Sequence, residues 1–169
     1  MGGSGDPLDL QALSLSTLTE TRKRVADALV AVCTDDPAGA QKALGLSDAL
    51  AGEVELDAQL WTSPTAPALG RYTGVLYDAL DQSSFTKATR SRAESRLWIG
   101  SALFGLVAAA DPIPHYRLSA GTQLPGLGTL RSTWRPDLTA ATAHWEDELV
   151  VDLRSGGYHQ LGPVPGAVT

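Results

Sequence analysis

The chain is poor in several residue types, and each shortage excludes something. Its one cysteine, Cys33, rules out an internal disulfide and gives no thiolate metal cluster. The three histidines, His115, His144 and His159, fall at none of the spacings typical of zinc sites. His144 and Glu148 would share one helix face, an arrangement that equally makes a surface ion pair. No metal and no cofactor are expected. Basic residues are also scarce: 13 Lys and Arg face 19 Asp and Glu, for a net charge of −6. Avid, nonspecific binding to nucleic acid needs a clustered basic surface, so the balance argues against it while leaving room for a local patch. No apolar run approaches the roughly 18 residues that cross a membrane, and no charged-then-apolar leader opens the chain. The expectation is a cytoplasmic protein with no membrane partner.

What is present suits an ordinary globular domain. With 169 residues, 43% of them hydrophobic, the chain is long enough for one useful core. Residues 1–6 read as a flexible leader and 7–169 as a single domain. Thr17 followed by Glu20 suits a capping box, and Leu18, Val25, Leu29 and Val32 form an apolar stripe over a helix from 18 to 33. Asp36-Pro37 fits a cap with proline in the first turn, and Gly45 a stop. A third helix runs from Ser47 to about Leu60, and further helices are predicted over 85–96 and 137–146. Leu97–Gly100, Tyr116–Ser119 and Leu149–Leu153 read as short buried strands. The fold class is α/β or α+β, one domain with a mixed sheet flanked by helices.

The residues that carry chemistry are few. Arg71-Tyr72-Thr73-Gly74-Val75-Leu76-Tyr77 sets two tyrosines around a glycine that lets the backbone turn. Ser101 ends a predicted strand, but Gly100-Ser101-Ala102-Leu103 lacks the nucleophile-elbow spacing. A small residue permitting close packing accounts for Ser101 more simply, and it stays a candidate only as a site-lining hydroxyl. Arg117, between Tyr116 and Leu118 in a predicted buried strand, must meet a carboxylate, carbonyls or an anionic ligand, because an unpaired buried charge is costly. A structural ion pair and a binding role both fit. Gly121-Thr122-Gln123-Leu124-Pro125-Gly126-Leu127-Gly128 lacks the Lys-Ser/Thr of a phosphate loop and reads as a connection. Lys87, Arg90, Arg92 and Arg96 form the densest basic segment. Only Arg92 and Arg96 share a helix face, which describes a solvated helix better than a DNA stripe.

Three segments taken in order are more informative than any one. Tyr72-x-Gly74-x-x-Tyr77-x-x-Leu80, then Gly100-Ser101 through Gly105, then Pro114-x-Tyr116-Arg117-Leu118-x-x-Gly121 resemble the peroxide stress protein YaaA family. Trp134 and Val150-Val151-Asp152-Leu153-Arg154-Ser155-Gly156-Gly157-Tyr158 resemble that family's later Trp and its tyrosine-ending segment. The chain departs from the pattern where Phe104 replaces a Tyr and where the N-terminal strand and its lysine loop have no counterpart. Its end also falls where the family enters another strand. The expectation is a YaaA-like domain lacking both flanking strands, and less stable than a version carrying them.

The resemblance implies a peroxide-stress protein that protects DNA and protein, limits free iron and binds DNA. It implies no established catalytic reaction, and no Gly-centred hairpin of the helix-hairpin-helix type can be placed here. The candidate cleft comprises Tyr72, Gly74, Tyr77, Ser101, Tyr116, Arg117, Gly121 and Tyr158, with an unidentified small molecule as ligand. Lys87, Arg90, Arg92 and Arg96 are the candidates for weak duplex-DNA contact. The alternative is a small-molecule or nucleic-acid-processing enzyme using the same cleft.

Overall fold

Leu18, Arg22, Val25, Ala26, Leu29 and Cys33 recur at helical spacing, and in the computed structural model, which describes residues 3–169, all of them are buried, Leu18 at the N-cap and the rest on one face of α1 (Thr19–Asp35). The capping box does not form: Leu18 occupies the N-cap without a side-chain bond, and a 3-10 turn at Ser16–Leu18 feeds the helix instead. The second cap is as expected. Asp36 Oδ1 accepts from Gly39 N–H at 2.9 Å, and Pro37 opens α2 (Pro37–Ala43). Gly45 then turns the chain at φ +66°. Asp36→Ala should lower stability by about 1 kcal/mol, the usual loss on removing an N-cap. A loss in denaturant unfolding free energy below roughly a third of that would mean the cap adds nothing.

The predicted third helix is broken into a 3-10 turn (Asp48–Leu50) and α3 (Gly52–Ala58), which packs along α1. After β1 (Thr65–Pro67) come α4 (Val75–Leu80) and α5 (Lys87–Arg96). A hairpin follows, β2 (Trp98–Ser101) and β3 (Gly105–Ala108), then β4 (Pro112–Pro114), which returns to pair antiparallel with β1. A small ladder of β5 (Gln123–Leu124) and β6 (Gly128–Thr129) leads into α6 (Leu130–Thr142), and α7 (Gly156–Leu161) packs back on α6. The α/β class stands. Among the described residues, its β component is three separate two-stranded antiparallel ladders. None of the described helices is long and apolar enough to cross a membrane.

Several expected elements are corrected. Tyr116–Ser119 is a loop, its backbone tied to α3 by the bond from Arg117 N–H to Asp57 Oδ1, and the strand lies just before it at Pro112–Pro114. Leu149–Leu153 is no central strand. It makes a single parallel bridge, Val151 to Val168, and turns Leu149, Val151 and Leu153 outward at 86%, 56% and 70% exposure. Its apolar run alternates, but the inward positions are Val150 and Asp152. The helix predicted from Asp137 begins seven residues earlier, at Leu130, where Thr129 Oγ1 accepts from Ser132 N–H, and it carries Pro136 within it. Of the stretch read as a leader, Met1 and Gly2 lie outside the described residues. Gly5 N–H donates to Thr65 O at 3.0 Å, and Asp6 O accepts from Thr65 Oγ1 at 2.8 Å.

The β2–β3 turn is wholly buried, which obliges every polar group in it to find a partner. Trp134 Nε1–H donates to Ala102 O at 2.9 Å. Arg22 Nε donates to Phe104 O at 3.0 Å, and its Nη2 to Leu106 O at 2.6 Å. Phe104 N–H donates to Ser101 Oγ at 2.8 Å. Gly105 sits at φ +75°, and a Cβ there would come within 2.8 Å of the Trp134 ring. A residue with a side chain would thus be doubly disfavoured. Arg22 is fully buried, and desolvation lowers its pKa to about 10 against the opposing charge of Asp111. Asp111 itself accepts from Ser14 Oγ and from Ala108 N–H. This frame fixes the hairpin that carries Ser101.

Candidate functional site

Ser101 lies at the end of β2, fully buried, with its Oγ already accepting from Phe104 N–H. Tyr116 OH sits 2.8 Å from Ser101 Oγ, and Tyr72 OH 2.9 Å from Tyr116 OH. Three hydroxyls from distant segments therefore form one chain. Gly74, at φ +107°, turns the backbone into α4 so that Tyr77 stacks on Tyr72 with ring centroids 5.5 Å apart. Phe104 meets the Tyr116 ring edge-on at 5.5 Å, so its side chain packs against the cluster without adding a hydroxyl.

Burial sets the protonation of this cluster. It pushes Tyr72 and Tyr116 well above the ordinary tyrosine value and Tyr77 to about 12. Tyr158 is raised by burial as well, with the Arg117 charge opposing the rise. At neutral pH these phenols are hydrogen-bonding hydroxyls and not phenolates. Ser101 has no histidine among its hydrogen-bond partners in the described residues. The arrangement offers linked hydroxyls that can orient a polar group.

Tyr158, on α7, is close enough to Tyr72, Tyr77, Tyr116 and Arg117 to influence or feel their charge. Arg117 is corrected in one respect: it is exposed and lies in a loop, so the cost of a buried unpaired charge does not apply to it. Its backbone N–H donates to Asp57 Oδ1 at 2.9 Å. Gly121 stands in an exposed turn with open space where a Cβ would be, separate from the hydroxyl chain. On the outer side of Tyr72 and Tyr77, an open groove of about 440 Å³ is lined by Gly70, Asp78, Asp81 and Gln82. Asp81 holds a left-handed backbone there, at φ +41°, uncommon for a residue with a side chain.

Lys87, Arg90, Arg92 and Arg96 all project from α5 into solvent, and Ala93 alone is buried on that helix. Arg90 spends part of its donor capacity on Gln82 O at 3.2 Å.

Sequence reasoning missed three ionisable side chains, Asp152, Arg154 and Asp57. Arg154 grips Asp152 through Nε at 2.9 Å and Nη2 at 2.7 Å, and it caps Gly162 O at 3.0 Å. Burial alone would raise the Asp152 carboxyl; the bonds and charge of Arg154 outweigh it and hold the pKa below the usual range. The arginine stem lies over Gly100, where a Cβ would come within 2.7 Å of it. Asp57, on α3, is fully buried. A signal for it existed: Asp57 follows Val54 by three positions, on the same helix face.

The sequence profile described as peroxide stress protein YaaA matches residues 6–166. A UPF0246 protein of Corynebacterium efficiens is 50% identical across 99% of this chain and 67% of its own length. One from Corynebacterium glutamicum is 48% identical with the same coverage, and one from Streptomyces coelicolor is 45% identical over 92% of this chain and 60% of its own. The chain thus spans about two thirds of the length of these corynebacterial relatives.

Proposed function

The chain belongs to the peroxide stress protein YaaA family, and from that premise we propose that it protects DNA and protein from peroxide damage in the cytoplasm. In this reading, protection runs through a limit on free iron and through weak contact with duplex DNA. The observation that carries the reading is the family match across residues 6–166. The test is survival of a peroxide-sensitive deletion strain that expresses this chain. Survival restored toward that of the parent strain supports protection. Survival equal to an empty vector, with the protein present and folded, removes it.

A second reading rests on a different observation, the linked hydroxyls of Tyr72, Tyr116 and Ser101 beside Arg117 and Tyr158. Stacked rings with protonated phenols and a nearby guanidinium suit a small polar or anionic ligand. The cleft would then serve a small-molecule or nucleic-acid-processing step.

DNA binding on α5 would be electrostatic. The net charge of −6 opposes approach, and up to four exposed basic side chains offer phosphate contacts. The log of the binding constant should fall against log salt with a slope between about −2 and −4. Fluorescence anisotropy on a short duplex measures it. Tight binding with a flat salt response would contradict a phosphate-dominated contact.

A further inference from the structure

The loop that delivers Tyr116 and Arg117 is held to α3 by two side chains one helical turn apart. Glu53 Oε2 lies 2.6 Å from His115 Nε2, and Asp57 Oδ1 accepts from Arg117 N–H at 2.9 Å. Between these two anchors lies Tyr116, whose hydroxyl joins Ser101 to Tyr72. The anchors differ in kind. The His115–Glu53 pair is part-exposed, with about a quarter of each side chain accessible. Asp57 is fully buried, and its Oδ2 has no hydrogen-bond partner among the described residues.

An orphan oxygen on a buried carboxyl is costly when ionised, because one donor does not replace the water it has lost. We propose that Asp57 is a proton-operated latch, holding the 115–118 loop against α3 while protonated and releasing it when its proton leaves to solvent. Every charged or titratable neighbour bears on this. Glu53, on the same helix, opposes ionisation of Asp57; Arg117, from the loop, favours it; Cys33, on the facing side of α1, is itself raised to about 12 by burial and by the charge of Asp57. His115 acts on Glu53, its direct partner.

The sign follows from linkage. Burial is the largest influence and raises the Asp57 carboxyl from 3.8 to about 7, against the Arg117 bond. In the opened loop, Asp57 would be hydrated and titrate in the ordinary carboxylate range. The closed form therefore binds the proton more tightly, and its advantage fades as pH rises through about 7. Above that pH, each opening leaves Asp57 without the proton in either form and the preference for closure is lost; between the two pKa values, opening becomes about tenfold easier per pH unit. The consequence for ligands rests on the cleft reading above, but the latch itself does not.

Amide hydrogen exchange of the full chain tests the latch directly. Rates for Tyr116, Arg117 and Leu118, corrected for the intrinsic pH dependence of exchange, should show protection falling by at least tenfold between pH 5.5 and pH 7.5. Exchange in α6 should stay level over the same range. Asp57→Asn keeps an acceptor for Arg117 N–H and removes the titration, so its loop protection should no longer change with pH. Glu53→Gln, which leaves Asp57 in place, should retain the pH dependence. Level protection in the unaltered protein overturns the proposal, and this needs no variant to fold. A pH dependence that persists in Asp57→Asn also overturns it, since another group would then be titrating.

Discussion

Arg22→Ala should lower the stability of this domain by about 2–6 kcal/mol, the cost of leaving two buried carbonyls without their donor. The reason lies in what Arg22 satisfies. Its guanidinium reaches from α1 to Phe104 O and Leu106 O, two carbonyls flanking a fully buried turn. Each would be left without that donor, at a cost of about 1–3 kcal/mol for a buried polar group. Asp111 would also lose a compensating charge. Arg22→Met restores most of the volume but neither donor, so it should recover only the packing part. Denaturant unfolding followed by tryptophan fluorescence reads all three proteins. A loss under about 1 kcal/mol for Arg22→Ala would mean that water replaces the guanidinium and that the turn is less sealed than its burial indicates.

Trp134→Ala should be comparably severe, at about 3–5 kcal/mol. Trp134 is the largest fully buried side chain among the described residues, and its ring lies against Gly105, the hairpin glycine at positive φ. Its Nε1–H also satisfies Ala102 O. The substitution therefore opens a large cavity and orphans a carbonyl in the same turn that Arg22 supports. Trp134→Phe, which fills part of the space but lacks the donor, should fall between. Because both residues act on one turn, the combined Arg22→Ala and Trp134→Ala loss should differ from the sum of the single losses. Strict additivity would mean that the two supports act on separate parts of the hairpin.

Local signals in the sequence carried much of the helical framework. The stripe Leu18, Val25, Leu29 located α1, and Asp36-Pro37 located the start of α2, because each depends on residues within a few positions of one another. The strands were harder. Leu149–Leu153 has a strand's apolar content, but burial is decided by what lies opposite, and three of its apolar side chains face outward. Tyr116–Ser119 has aromatic and β-favouring character, yet its backbone is tied to a side chain 60 residues away, at Asp57. Such long-range ties leave no periodic trace. Arg22 is the instructive omission: it lies four residues after Leu18 and three before Val25, on the buried stripe itself, so the helical period already placed its charge inside. The tyrosine segments, by contrast, drew notice as chemistry, and the fold brings Tyr72, Tyr77, Tyr116 and Ser101 into contact.

The most direct measurement of the account is peroxide survival of the deletion strain carrying the Tyr72→Phe, Tyr116→Phe double variant, at protein levels matched to the unaltered chain. The substitutions keep both rings and their packing while removing two of the three linked hydroxyls. If the hydroxyl chain is the working part of this YaaA-family protein, survival should fall to that of the empty vector while the variant's unfolding free energy stays within about 2 kcal/mol of the unaltered chain's, roughly one net hydrogen bond for each hydroxyl removed. Full protection by the double variant would contradict the account and reduce the cluster to a packing feature of the core.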